Sequence, residues 1–292
     1  MRNNGRIILL DVGGTFIKSA LGIPFNGAVE NTFESTPVNS DGSAEEIRAA
    51  FRKSVSVQMH KADEEGFSID AVCVAIPGPF DYNEGIFMMK HKFSSVYGVS
   101  FKDMLKDVLP SGTRLAFIHD VNCALLGAMI SDSSLKEGNV ALSTLGTGLG
   151  FTYAVDGEVQ YSPTGSPATG LWNLPYNGAI LEEYVSRRAI IRTFLEKGGA
   201  LNAGEDVKEI ADLARKGDKA AMETFAATGR HYAAGSRETL KRLGVRHLLF
   251  GGQIAKSFCL MEEEIRKGLG DIVTISVLDD IQGTVLLGAS TL

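Results

Sequence analysis

The chain of 292 residues carries 29 Lys and Arg against 35 Asp and Glu, a formal net charge of −6, with 44% hydrophobic and 22% charged residues. This balance excludes a disordered or fibrous chain, and the mild acidity gives no general attraction to nucleic-acid backbones. The length exceeds what one core usually serves, so two domains are expected.

Only four strong hydrophobes, Ile7 to Leu10, precede Asp11, too few for a signal h-region. The uncharged stretch 138–155 is broken by four glycines and several polar residues, so no membrane span is expected there. Cys73, Cys123 and Cys259 have no short spacing between any pair. They indicate neither a disulfide framework nor a zinc knuckle, and a cytoplasmic protein is expected.

Residues 6–21 read as strand, glycine turn, strand: Ile7-Ile-Leu-Leu-Asp-Val, then Gly13-Gly14-Thr15, then Phe16-Ile-Lys-Ser-Ala-Leu. The turn glycines tolerate positive φ and let the backbone approach a ligand. A strand around 29–38 would complete a meander. Ser43-Ala-Glu-Glu46 is a capping box, and Ile47, Phe51, Val55 and Met59 give one apolar helix face. The apolar run 69–76, closed by Pro77-Gly78-Pro79, predicts a strand buried on both faces. A short helix at 101–109 stops at Pro110, a buried strand at 114–118 ends at His119-Asp120, and a helix follows over 122–130.

The second half opens with strands at 140–144 and 151–155, and Asp156-Gly157 then signals a hairpin. Helices are predicted at 179–195, 205–215 and 218–243, with Gly244 as a C-cap. A buried strand at 247–250 runs into Gly251-Gly252 and a helix at 255–268. A strand near 272–277 precedes a small helix from 283. Each half is one hairpin-led α/β unit.

The glycine clusters carry chemistry. Asp11-Val-Gly13-Gly14-Thr15 offers amide N–H groups and a hydroxyl to phosphate oxygens, and a carboxylate to orient a magnesium ion and its waters. Leu145-Gly146-Thr147-Gly148-Leu149-Gly150 offers the same at the matching place of the second half. Its spacing and the following strand exclude a dinucleotide fingerprint, and the chain has no P-loop motif. In Leu248-Leu-Phe-Gly251-Gly252-Gln253 the glycine pair leaves room for a flat adenine or ribose. Singly, each cluster is equally a plain turn; three in one chain are hard to attribute to chance.

With Ile76-Pro-Gly-Pro-Phe-Asp81, Gly85, Asp120-Val-Asn122, and Leu181-Glu182 with Ser186, these clusters make nearly the whole chain similar to the actin-like ATPase superfamily. Within it the sequence most resembles the ROK group of sugar kinases and repressors. The resemblance implies an α/β fold of two actin-like (ribonuclease H-like) domains around a cleft. Residues 1–122 would form the sugar side and 123–292 the nucleotide side, with the last helix, about 283–292, packing back on the first domain. ATP and Mg2+ would be bound, Asp11 holding the ion through water. Gly13, Gly14, Thr15, Lys18, Gly146, Thr147, Gly148, Gly251 and Gly252 would receive the nucleotide. Asp120 would be the general base, a position equally suited to a helix N-cap aspartate, and Gly78, His119, Asn122 and Glu182 would join it around the sugar.

The implied activity is ATP-dependent phosphorylation of a sugar hydroxyl by a homodimer. The alternatives are a non-catalytic carbohydrate sensor and a kinase using polyphosphate. DNA binding is disfavoured, because the group's repressors carry an N-terminal helix-turn-helix and here the first strand begins by about residue 6.

The departures from the group fall on the sugar side. His119 replaces the Asn that usually precedes the base. The segment 164–178 has no Glu, His or Cys where many members have a Gly-Glu-x-Gly-His segment and a zinc loop, so no zinc site is expected. Either Trp172 for stacking and Asn173 or Asn177 for hydrogen bonds serve the sugar instead, or the site accepts a different substrate, and packing in the core is the simpler reading of Trp172. Lys90-His91-Lys92-Phe93 replaces a Pro-Asn-Leu-type segment and reads as a solvated turn, or else as a receiver of an anionic substrate.

Overall fold

The computed structural model describes residues 5–292, which divide into two units. One holds the described chain up to Asp132, with Tyr161–Ala168 and Gln282–Leu292; the other holds Ser133–Gln160 and Thr169–Ile281. The first unit passes residue 122 because the helix Asp120–Ser131 is continuous, with one run of buried residues from Val121 to Met129. Ending the unit inside it would cut that helix's hydrogen-bond ladder.

In the first unit, β1 (Gly5–Val12) and β2 (Phe16–Ile23) form an antiparallel hairpin. The expected single strand at 29–38 is two short pieces, β3 (Gly27–Ala28) and β4 (Glu34–Pro37), both paired with β2. Asn31, with φ 64°, turns the chain between them. Helix α1 (Ala44–Glu64) starts at the capping box of Ser43 and Glu46 and buries Ile47, Phe51 and Val55. β5 (Ser68–Ile76) runs parallel to β1; the small β6 (Phe80–Asp81) and β7 (Ile86–Phe87) hairpin follows. Next come α2 (Phe101–Leu105), β8 (Arg114–His119) parallel to β5, and α3 (Asp120–Ser131). The sheet order is β3-β2-β1-β5-β8. Its core packs Phe51 against Phe87, Phe93 and Phe101.

The second unit repeats this plan. β9 (Asn139–Leu145) and β10 (Leu149–Val155) make the hairpin, extended by β11 (Glu158–Val159). The predicted helix over 179–195 is not continuous. β12 (Pro175–Tyr176) and β13 (Ala179–Ile180) form a hairpin, with Asn177 and Gly178 at φ 47° and 84°. α4 (Glu182–Val185) and α5 (Arg187–Glu196) follow, broken by the extended Ser186. An Asn-Gly pair at positive φ makes a two-residue hairpin turn, and here that local preference outweighs helical periodicity.

α6 (Val207–Arg215) and α7 (Lys219–Arg242) precede β14 (His247–Gly251). The predicted 255–268 helix is a kinked 3-10 segment, Ile254–Leu260, and then α8 (Glu262–Leu269). β15 (Thr274–Val277) completes the order β11-β10-β9-β14-β15, in which β9, β14 and β15 are parallel. Buried Tyr232 of α7 bonds Ser143 of β9 and packs on Phe250. The last helix, α9 (Ile281–Ala289), lies in the first unit from Gln282 onward. Among the described residues no helix is long and apolar enough to cross a membrane.

Candidate active site

Parallel β1, β5 and β8 end together: Asp11 pairs in register with Ala75, and Ile76 with His119. The carboxyl edge of this sheet therefore carries Asp11, the Gly13–Thr15 turn, Gly78, His119 and Asp120. Crevices outside the carboxyl ends of such strands are where α/β folds bind ligands.

At this edge Asp120 begins α3. Its Oδ1 accepts from His119 Nδ1 at 2.7 Å and from the Val121 amide at 2.8 Å. No hydrogen bond from the described residues occupies Oδ2. Burial would raise the carboxyl, but the charge and hydrogen bond of His119, the charge of Lys92 and the Val121 amide outweigh it. Asp120 is thereby held below the ordinary carboxylate value. The N-cap of α3 is His119, whose Nδ1 also faces the Val121 amide at 3.4 Å, and Asp120 is the first helical residue, with one oxygen on that amide and the other free.

His119 is placed by its neighbours. A Cβ on Gly78 would lie 3.4 Å from both the His119 ring and the Tyr82 hydroxyl, which donates to Ile76 O at 2.9 Å. With Nδ1 committed to Asp120, His119 Nε2 has no partner among the described residues.

Asn122 is fully buried, and its amide donates to Gly165 O at 3.4 Å. That bond ties it to the segment 161–168. Tyr82 N–H donating to Thr164 O at 3.2 Å and Asn83 Nδ2 donating to Pro163 O at 3.1 Å fasten the same segment.

Lys18 Nζ stands 3.8 Å from Asp11 Oδ2. Burial pushes the Asp11 carboxyl up to about 6; Lys18 opposes this and the charge of Asp120 adds to it. A carboxylate so poorly compensated suits a cation. Among the described residues no group of three or more His, Cys, Asp or Glu is placed to hold a metal ion. Magnesium asks for less, since one or two carboxylates, waters and phosphate oxygens suffice.

A folded pKa above the ordinary 3.8 makes Asp11 favour the fold at low pH, a contribution lost as pH rises through about 6. Asp11→Asn in EDTA should therefore be more stable than the parent at pH 8, by about 2 kcal/mol. The gain should shrink toward pH 4.5 in urea titrations, and a gain independent of pH would contradict this account.

Neither Gly13 nor Gly14 takes a positive φ. The Gly13 amide closes the turn onto Phe16 O at 2.9 Å, leaving the amides of Gly14 and Thr15 unpaired. The second turn matches it: Gly146 N–H bonds Gly148 O at 3.1 Å, and the amides of Thr147 and Gly148 are unpaired. Each turn thus offers two free donors rather than three.

Glu182 belongs to this second turn. It accepts the Leu149 amide at 2.8 Å and pairs with Arg188 at 2.9 Å, and a Cβ on Gly148 would come within 2.5 Å of its Oε2. Arg188 was not foreseen; the signal lay in its spacing from Glu182 and Glu183, both of which it pairs with.

At the third cluster both glycines lie close to other parts of the protein. A Cβ on Gly251 would meet Ile281 at 2.9 Å, and one on Gly252, at φ 91°, would strike the Leu145 carbonyl. Trp172 is 49% exposed, so it is not a core residue. Asn177 is a turn residue whose carbonyl accepts from Tyr184 Oη at 2.7 Å.

The sequence model of a family described as the ROK family matches residues 7–276. The chain belongs to the ROK family. An uncharacterized protein of Clostridium perfringens is 23% identical over 262 residues, covering 86% of this chain and 82% of its own. Among solved structures, a ROK family glucokinase from Streptomyces griseus, in complex with glucose and AMPPNP, superposes with a TM-score of 0.79 at 20% identity over 98% of both chains. A ROK family transcriptional regulator, a homologue of the E. coli MLC protein, gives 0.82 at 15% identity over 99% of this chain and 78% of its own. The ROK fold here is accordingly that of the two-domain actin-like ATPases.

Proposed function

We propose that this ROK protein transfers the terminal phosphoryl group of ATP to a hydroxyl of a hexose or related sugar. The observation that carries the reading is Asp120, an ionised carboxylate directly after the parallel strand β8, with Oδ1 engaged and Oδ2 free. Oδ2 accepts the proton of the attacking hydroxyl as its oxygen bonds to phosphorus and ADP departs. Phosphoryl transfer otherwise asks for positioning and charge neutralisation. The amides of Gly14, Thr15, Thr147 and Gly148 are donors for phosphate oxygens, and Lys18 adds positive charge beside Asp11. Magnesium, held by Asp11 through water, would neutralise charge on the phosphoryl oxygens. The glucose and AMPPNP bound by the Streptomyces griseus relative support the same two ligand classes here.

The likeness to a regulator favours one second reading, a carbohydrate sensor without catalysis. Coupled ADP release with ATP and magnesium across neutral, N-acetylated and acidic sugars separates the two, with AMPPNP calorimetry alongside. Sugar-dependent release is expected. Sugar binding without release would favour the sensor, and absence of AMPPNP binding would remove the reading of the glycine turns.

A further inference from the structure

The second glycine turn has a carboxylate at its back. Glu182 Oε2 accepts the Leu149 amide at 2.8 Å, and it lies 2.5 Å from where a Cβ on Gly148 would stand. That oxygen therefore rests against the backbone whose Thr147 and Gly148 amides are unpaired and open to a phosphate. A fixed negative charge so placed opposes the binding of any anion to the turn.

The break between α4 and α5 builds this arrangement. The Glu182 amide donates to Trp172 O at 3.1 Å, which seats the start of α4. Ser186, fully buried and extended, separates α4 from α5, and the Arg187 amide after it donates to Gly146 O at 2.9 Å. The same pair of helices thus holds the turn at both ends: Gly146 by a backbone amide, and Leu149 by the Glu182 carboxylate.

One cation meets the other oxygen of Glu182. Arg188 Nη2 stands 2.9 Å from Glu182 Oε1, while its Nε bonds the two oxygens of Glu183 at 3.1 and 3.2 Å. The neighbouring Arg187 is engaged by Asp206 at 2.7 Å, and Arg192 reaches Glu183 at 3.6 Å. Among the described residues Arg188 is the cation paired with the carboxylate behind the turn. The side chains of Arg188 and Glu182 are 49% and 18% exposed, so the pair adds little to overall stability. Its effect is local, because the guanidinium offsets a charge that bound phosphates would otherwise face.

We propose that Glu182 and Arg188 are a positioning pair for the nucleotide: Glu182 fixes the second glycine turn through the Leu149 amide, and Arg188 neutralises Glu182 so that the turn can receive phosphate. This rests on the reading of that turn as a phosphate cradle. Both residues act through the turn rather than by contact with the nucleotide.

Calorimetry of AMPPNP with magnesium, on the full chain, separates the charge from the hydrogen bond. Arg188→Met should weaken binding roughly tenfold by leaving the carboxylate uncompensated, and Arg188→Lys should lose only a small part of that. Glu182→Gln keeps an oxygen for the Leu149 amide and should bind within roughly threefold of the parent. Glu182→Ala has no acceptor and should bind roughly fivefold more weakly than Glu182→Gln. In the Arg188→Met background, Glu182→Gln should recover most of the loss, a rescue that a merely structural ion pair would not give.

Unchanged affinity in Arg188→Met would overturn the proposal. So would a double variant as weak as Arg188→Met alone, which would put Arg188 on the nucleotide itself. A parent that binds no AMPPNP would overturn the phosphate-cradle reading instead, and the proposal would fall with it.

Discussion

Replacing Asp120 with asparagine should lower sugar-dependent phosphoryl transfer by roughly 10²- to 10⁴-fold, the range for loss of a positioned general base. The substitution keeps the shape of the side chain and an oxygen for the Val121 amide, which Oδ1 accepts at 2.8 Å. What it removes is the free Oδ2 as a proton acceptor and the negative charge that His119 and Lys92 surround. The fold should persist, since an acceptor for the Val121 amide remains and a charge that burial disfavours is lost. Circular dichroism and calorimetric melting of the variant should be close to the parent, while ADP release falls to near background. Retention of more than about a tenth of the parent kcat would be incompatible with general-base catalysis by Asp120.

The largest effect on stability is expected from Gly288→Val. Helices α3 and α9 meet backbone to backbone. A Cβ on Gly288 would fall on the Cys123 carbonyl oxygen, and one on Gly127 would fall on that of Thr284. Cys123 Sγ also donates to Val285 O at 3.0 Å across the same crossing. Because the obstacles are helical carbonyls, no side chain can swing aside, and the helices would have to separate. Overpacking of this kind costs about 3 kcal/mol or more, and here it also leaves backbone contacts unmade.

Since α3 begins at Asp120, sugar-dependent activity should fall with stability. Gly146→Ala is the comparison for stability alone, because nothing lies within 4 Å of its added Cβ. Urea midpoints should drop strongly for Gly288→Val and little for Gly146→Ala; equal midpoints would refute the close crossing.

Much of the architecture could be read locally. The Ser43–Glu46 capping box forms as expected, with the Ser43 amide donating to Glu46 at 2.8 Å. Asp156-Gly157 turns at φ 47° and 83°, and both hairpins with their following parallel strands lie where apolar runs and glycines placed them. The Asn177-Gly178 hairpin carried an equally strong signal, but it was masked by the apolar periodicity running from Ala179 into α5. Asn122 came into the site through the resemblance of Asp120-Val-Asn122; the fold adds that this side chain is buried and donates to Gly165 O across 43 residues of sequence.

By itself the sequence determined the two hairpin-led halves, the free-donor turns and the strand-to-helix position of Asp120. Each depends on backbone hydrogen bonding, burial period and turn preference within a few neighbouring residues. Only the tertiary structure decided which donors stay unpaired and that Gly252 and Gly288 are glycines against the protein's own carbonyls. It also decided that Lys92 is half-buried while Lys90 stays exposed. These are distances between segments remote along the chain, and an ion's energy is set by how far away its neighbours are and how well water reaches it.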